Sequence, residues 1–520
     1  MKSRKLSNGN ELKIGVALSY SQTLVSMLIG IIYTPIMLRI LGKSEYGLYN
    51  TVASTISTLG ILDFGFVSSY IKYYTKYKVN NEEDKINKLN GLFLTIYFVI
   101  GLVAFACGIF LSNHLTLVFD KGLDDQEIAK ARVMLIMLSV NMFVSFFSTA
   151  FKSYINAHEK FVFMKTVGLL QTVVNPLIRL PIILAGYGSV GMTVANFAIN
   201  IFVTFVFIGF AIKKLRFKAS FGNWEKGLFR SMLAFSSLIA VNILVDQVNG
   251  KIDNIIIARF CGTAEVAVYA VGAALCGYFS SFSSQIFNVF VPRVHRIIAE
   301  TKNNLEKQKE KITDLFIKVG RIQFLILALI ASGLVFFGKS FIRVWAGEGY
   351  EDAYWVVLWR VIPGLIPLIQ NIGTEAQRAQ YKHYYRTIIL GLGAVLNLAL
   401  TIVLCKYWNS VGAAVGTGIS TFIGNGIIMN IVYQKKININ ILAFWKNILK
   451  QLIGMIIPFC VGTAIMLYAE MNSYLTLISW IAVYTVVYLI CIWFFSTNES
   501  EKSLIKNFVN KFCHTVKKKV

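Results

Sequence analysis

The sequence predicts an all-α polytopic membrane protein of about fourteen transmembrane helices. Three observations carry this expectation. Hydrophobic residues make up 56% of the 520 positions and charged residues only 15%, against about 45–50% and about 25% in soluble chains. The excess is gathered in continuous blocks of roughly twenty residues, the length a helix needs to cross hydrocarbon, without the alternation of a membrane β-barrel. The lysines and arginines fall between the blocks and crowd one side of the membrane.

Taken in order, the first span, 14–40, follows the basic arm MKSRKLSNGNELK. It is too long for the apolar part of a signal peptide and no small-residue cleavage site follows it, so it is expected to stay. Spans at 46–71, 89–112, 130–155, 161–184 and 190–213 complete a first six, with Pro176 and Pro181 set to kink the fifth. Spans at 231–259, 264–290, 314–338, 353–376, 385–406 and 412–434 form a second six, and the tenth contains Pro363-Gly-Leu-Ile-Pro367. Two more, 447–468 and 475–495, stand apart. The longest outer connections, an acid-rich stretch at 112–129 (Asp120, Asp124, Asp125, Glu127) and 339–352, are too small for a folded domain. Trp345, Trp355, Trp359 and Trp408 are expected in the outer interface belt.

An even number of spans puts both termini on one side. The loops on that side, with the termini, hold 36 lysines and arginines and the opposite loops 6, so both termini are expected in the cytoplasm. The net charge of +25 is therefore loop charge, attracted to anionic membrane lipids. No basic stripe with interleaved aromatics lies outside the spans, which argues against nucleic acid as a partner. The seven cysteines, 107, 261, 276, 405, 460, 491 and 513, fall mostly within spans, and neither they nor the five histidines show metal-ligand spacing. No Gly-x-x-x-x-Gly-Lys-Ser/Thr loop is present to hold a nucleotide, and no metal or other cofactor is expected.

The chain repeats itself weakly. Ile40-Leu-Gly42-Lys-Ser-Glu45-Tyr-Gly-Leu-Tyr49 matches Phe260-Cys-Gly262-Thr-Ala-Glu265-Val-Ala-Val-Tyr269, displaced by 220 positions. Ala157, Lys160 and Asn175 match Ala379, Lys382 and Asn397 at 222, and Ser189-Val-Gly191 matches Ser410-Val-Gly412 at 221. Two halves of six spans each insert the same way up, as parallel repeats. The expected divisions are a first bundle at 1–228, a second at 229–440, and two further helices with a basic tail at 441–520.

Span seven carries the densest intramembrane polarity. Asn242, Asp246, Asn249 and Asp253 follow steps of four, three and four, one stripe of a helix. Each charge near a bilayer centre costs about 2.5–3.5 kcal/mol, so such residues usually line a cavity. Lys251 lies about 140° around the helix from Asp246 and needs a partner of its own.

Several segments carry a resemblance to a known family. They are Arg39-Ile-Leu-Gly42-Lys-Ser-Glu45-Tyr46-Gly47-Leu-Tyr49, then Leu62-Asp63-Phe-Gly65, the turn Ala157-His-Glu-Lys160-Phe161, and Asp253-Asn-Ile-Ile-Ile-Ala-Arg-Phe-Cys-Gly262. Across essentially the whole chain these resemble the bacterial polysaccharide flippases of the multidrug/oligosaccharidyl-lipid/polysaccharide exporter superfamily. The resemblance implies a multidrug-and-toxin-extrusion-like fold in the bacterial cytoplasmic membrane, with two six-helix bundles alternating access. It implies a cargo of undecaprenyl-diphosphate-linked oligosaccharide, moved to the outer leaflet for O-antigen of lipopolysaccharide, capsule or exopolysaccharide. Polysaccharide polymerases and glycosyltransferases are the partners it suggests.

Such a cargo asks for fixed cations around its diphosphate, and arginine matches phosphate bidentately. The candidates are Arg179, Lys251 and Arg360, each of which could instead pair with an acid or snorkel to the interface. Asp63, Asp246 and Asp253, with Asn242 and Asn249, are candidates for cavity contacts or for coupling to protons, sodium or the membrane potential; a structural pair or cap is the alternative for each. Ser19, Gln22, Ser26 and Tyr33 of span one could bind sugar or join helices. The rival readings are a cation-coupled multidrug exporter of the same fold, which would favour an acidic cavity, and a membrane polymerase or ligase of lipid-linked sugars, which would need larger outer loops.

Overall fold

The computed structural model describes residues 2–119, 124–222, 227–499 and 501–503. Asp120, Lys121 and Lys226 lie outside the described residues, as do Cys513, His514 and the tail lysines from Lys506 onward. Every regular element among the described residues is a helix. In chain order these are α1 (Lys2–Thr58), α2 (Phe66–Val79), α3 (Glu83–Asn113), α4 (Asp125–Ala157), α5 (Phe161–Leu184) and α6 (Gly188–Lys213). Then come α7 (Leu228–Cys261), α8 (Thr263–Asn288), α9 (Val291–Glu300), α10 (Leu305–Ala346), α11 (Ala353–Ile369) and α12 (Asn371–Ala379). The last are α13 (Tyr384–Thr421), α14 (Met429–Lys435), α15 (Ile441–Leu452), α16 (Ile456–Tyr468) and α17 (Tyr474–Phe495).

Among the described residues, ten helical segments are long and apolar enough to cross a membrane, or twelve with two bent pairs counted as spans. Two of the ten, Ile14–Val79 with 66 residues and Tyr384–Lys435 with 52, are far longer than one crossing requires. Each is interrupted by non-helical backbone, at Gly42 and at Trp408 and Asn409. Fourteen crossings are reached only if each of these long segments crosses twice. The bent pairs are Leu228–Ser237 with Ile239–Cys261, at 43°, and α11 with α12, at 46°. The second break falls just after Pro367, as the proline pair predicts, whereas Pro176 and Pro181 lie inside a continuous α5.

Three expectations need correction. The acid-rich outer stretch ends in a helix start, because Asp124 and Glu127 form a reciprocal capping box on α4. The other long connection shrinks, since α10 continues through Lys339 and Arg343 to Ala346. Trp345 is no belt residue: it is buried and stacked on Phe341 at 5.5 Å, while Trp355, Trp359 and Trp408 are exposed.

The repeat reads in the backbone. Gly42 (φ 74°, ψ 173°) and Gly262 (φ 92°, ψ 172°) adopt the same conformation, one essentially closed to residues with a Cβ. Positive φ recurs in pairs at Gly188 and Asn409 (53° and 48°), Glu159 and Tyr381 (58° and 58°), and Arg216 and Asn438 (55° and 61°). Left-handed backbone costs a non-glycine residue roughly 1–2 kcal/mol, so its recurrence at offsets of 221–222 marks the same helix ends built twice.

Packing contacts group the chain into two units, Met1–Ala270 with Asn397–Ala413, and Val271–Leu396 with Ala414–Val520. The first has an aromatic core where α2, α3 and α4 meet: Tyr70 against Phe93 at 4.4 Å, Phe93 against Tyr97 at 4.7 Å, and Tyr74 edge-on to Tyr154. Outward positions of α5 and α6 such as Leu177, Phe202 and Phe205 are exposed, as lipid-facing surface should be. In the second unit α10 is the central helix, with Phe316 against Phe444 of α15 and Phe336 and Phe337 against Tyr484 of α17. A buried bidentate pair, Arg321 with Glu501, closes its end.

Candidate sites for cargo and coupling within the membrane

The Gly-x-x-Glu corner is the scaffold. Glu45 accepts the backbone N–H of Ser189 at 2.6 Å and the Lys130 ammonium at 3.0 Å. Its repeat counterpart Glu265 accepts the N–H of Ser410 at 3.2 Å and that residue's hydroxyl. Each carboxylate satisfies an otherwise orphaned donor at the start of a helical run. The corner after Gly42 also lies on the one after Gly262: Ser44 bonds Thr263 side chain to side chain at 2.8 Å, and a Cβ on Gly47 would sit 1.8 Å from the Thr263 carbonyl oxygen.

On this frame the repeats place two polar clusters at equivalent positions. Tyr33, Tyr49, Asn175 and Arg179 form the first, and Arg179 Nη2 donates to Asn196 Oδ1 at 2.6 Å. Tyr33 lies within electrostatic reach of both Arg179 and Tyr49. Three buried atoms of this cluster make no hydrogen bond among the described residues: Tyr33 Oη, Asn175 Oδ1 and Arg179 Nε. Offsets of 220 and 222 carry the four residues onto Asp253, Tyr269, Asn397 and Thr401. There Tyr269 donates its hydroxyl to Asp253, Asn397 donates to Asp253 at 3.4 Å, and Thr401 donates to Asn397 at 3.3 Å. The second cluster is buried and knit together, and its charge is the reverse of the first: an acid faces Tyr269 where the first repeat has a tyrosine, and threonine replaces the arginine.

The candidate residues therefore separate. Asp253 is 2% exposed and shares the second cluster, whereas Asp246 on the same stripe of α7 is exposed and forms no ion pair or hydrogen bond among the described residues. Asn242 and Asn249 are half-buried between these extremes. Lys251 is exposed and likewise unpaired among them. Arg360 is half-buried on α11, in the other unit from Arg179. Asp63 closes a 3-10 turn that breaks the second span, and its carboxylate takes the Tyr97 hydroxyl and the Gly65 backbone N–H. It anchors the aromatic core. Gln22 packs against Gly168 of α5, a helix-joining role, and Ser26 is exposed.

Among the described residues no three His, Cys, Asp or Glu side chains come together to hold a metal ion. Tyr49, Asn175, Asn196, Tyr269, Asn397 and Thr401 were not foreseen as site residues. The repeat was the available signal for Tyr269, Asn397 and Thr401, since the same offsets map Tyr49, Asn175 and Arg179 onto them.

A family model described as polysaccharide biosynthesis protein matches residues 12–298. No curated protein matches the chain in sequence. Among solved structures, one titled "Lipid II flippase MurJ, inward closed conformation" is similar at a TM-score of 0.68 and 15% identity, covering 92% of this chain and 98% of that one. An inward-facing multidrug resistance MATE family transporter of the MOP superfamily is similar at 0.58 and 13%, covering 82% and 99%. The MATE multidrug transporter DinF-BH is similar at 0.58 and 17%, covering 83% and 96%. At these identities the likeness establishes the fold.

Proposed function

Because the chain belongs to the polysaccharide biosynthesis protein family, we propose that this multi-pass membrane protein is a flippase. Its cargo is an oligosaccharide linked to a polyprenyl diphosphate, moved from the cytoplasmic to the outer leaflet of a bacterial cytoplasmic membrane for surface polysaccharide assembly. Both termini lie in the cytoplasm, on the side with most of the loop charge. The observation that carries the reading is the Arg179 cluster. A guanidinium inside the membrane, fixed through one nitrogen to Asn196 and with Nε still available, is suited to a phosphate oxygen. Tyr33 Oη and Asn175 Oδ1 beside it can take sugar hydroxyls or the remaining phosphate oxygens.

Asp253 is assigned to coupling. Its carboxylate, with the oxygens of Asn397, Thr401 and Tyr269 near it, suits a proton or a small hard cation. Lys251 and Arg360 are secondary candidates for the diphosphate, and glycosyltransferases and a polymerase supply and consume the cargo. A second reading, a cation-coupled drug exporter of the same fold, draws on Asp253 and the exposed Asp246, but gives Arg179 no role.

Binding separates the two. Purified protein should retain a fluorescent polyprenyl-diphosphate oligosaccharide at least tenfold more tightly than rhodamine-type cations, and Arg179→Ala should remove most of that difference. Tighter binding of the cationic dye would favour the exporter.

A further inference from the structure

A second cationic site lies between α9 and α10, in the other unit. A cavity of about 270 Å³ is lined by Arg293, Arg296, Ile297 and Glu300 of α9 and by Lys311, Asp314, Leu315 and Lys318 of α10. Four cations face two acids. Arg296 has only a loose partner, Glu300 at 3.9 Å. Arg293, Lys311 and Lys318 have no ion pair among the described residues. Ile297 and Leu315 are buried and give the cavity an apolar floor.

The cavity is built on fixed elements. α9 buries Val294 and Ile297, and His295 Nε2 bonds Glu375 Oε1 of α12 at 2.8 Å. Glu375 in turn holds Arg378 at 3.0 Å. Its depth is equally defined. Lys311 and Lys318 stand on one face of α10, about 10 Å apart along the axis, and they bracket the start of that helix's apolar run. A cationic hollow at the edge of the hydrocarbon, on the face expected to be cytoplasmic, lies at the level of lipid phosphates.

We infer that this hollow binds the phosphate group of an inner-leaflet lipid, through Arg293 and Arg296 on one side and Lys311 and Lys318 on the other. Two lipids present that chemistry: a bulk anionic phospholipid, with one phosphodiester, and a polyprenyl diphosphate arriving before translocation. The site does not depend on the flippase reading, because binding is measured without transport.

The test is lipid retention by the full-length protein in native mass spectrometry, titrated separately with short-chain phosphatidylglycerol, undecaprenyl diphosphate and phosphatidylcholine. Wild type should prefer at least one of the phosphate-bearing anions over phosphatidylcholine by tenfold or more. Arg293→Gln with Lys318→Gln should reduce that preference by about 25-fold or to none, about fivefold for each cation. The equal-charge control, Lys446→Gln with Lys450→Gln on exposed positions of α15, should retain it. Preference for phosphatidylglycerol alone identifies a structural lipid site, preference for the diphosphate alone identifies cargo capture, and preference for both identifies a general phosphate site. No preference in wild type, a preference kept by the Arg293/Lys318 variant, or equal loss in the control would overturn the assignment.

Discussion

Glu45 accepts the backbone N–H of Ser189 at 2.6 Å, closing the gap between the first corner of the repeat and the start of α6. The same carboxylate holds Lys130. Glu45→Ala leaves a buried donor unsatisfied, at a cost of about 1–3 kcal/mol. Glu45→Gln keeps an acceptor and should lose less. Thermal unfolding in detergent reads the difference, and equal midpoints for the two variants would mean that the carboxylate does not cap the helix.

Gly47 has helical backbone, so its glycine is required by proximity. An added Cβ would lie 1.8 Å from the Thr263 carbonyl oxygen and 3.2 Å from the Ala267 nitrogen. Gly47→Ala should force the two corners apart, costing about 1–3 kcal/mol as overpacking does, and should lower folded yield in size-exclusion chromatography. Gly209→Ala, which meets nothing within 4 Å, should be neutral.

Arg321 and Glu501 are both buried and joined at 2.6 and 2.9 Å, and the guanidinium also donates to the carbonyls of Asn447 and Ser496. Removing one partner strands the other charge, so Glu501→Ala should destabilise by about 3–5 kcal/mol. Arg321→Met with Glu501→Leu should recover much of this. A double-mutant cycle on unfolding midpoints checks it, and additive losses would show that the pair is not coupled.

His158, just beyond the end of α4, supplies a pH test. Its Nδ1–H donates to the Tyr154 carbonyl at 2.9 Å and the Tyr74 hydroxyl donates to Nε2 at 3.0 Å. Burial, with Lys78 and Lys160 nearby, holds the imidazole below the usual histidine range. As pH falls below about 6.5, the unfolded chain binds a proton that the folded one resists. The contribution is therefore complete above that pH and lost as pH drops toward the folded value. The unfolding midpoint should fall between pH 7.5 and 5.5, and less so in His158→Gln; identical slopes would contradict the assignment.

Much of this architecture was legible in the chain because it rests on local chemistry. Apolar runs of membrane length, the proline pair before the α11–α12 bend, and the two Gly-x-x-Glu corners all read directly. What escaped depends on which neighbour a side chain meets. Spacing placed Asp246 and Asp253 on one stripe, but only the packing of Tyr269 and Asn397 makes Asp253 a buried, bonded acid while Asp246 stays exposed. Arg179 was visible as an intramembrane cation; its fixing partner Asn196 lies on the next helix and shares no sequence pattern with it. Trp345 was misplaced because the reach of α10 toward the outer side depends on where its helix ends, at Gly347 with φ 101°.

The proposed role of the Arg179 cluster is to serve a lipid-linked diphosphate in transit between leaflets. The direct measurement is leaflet transfer of a fluorescent polyprenyl-diphosphate oligosaccharide in proteoliposomes, read by quencher accessibility. Wild type should exceed protein-free vesicles by at least tenfold. Arg179→Ala, with unfolding midpoint unchanged, should lose about 10-fold to 100-fold of the rate, as expected when one charge-assisted contact of about 1.5–3 kcal/mol is removed. Transfer no faster than in empty vesicles, or an Arg179→Ala rate equal to wild type, would contradict it.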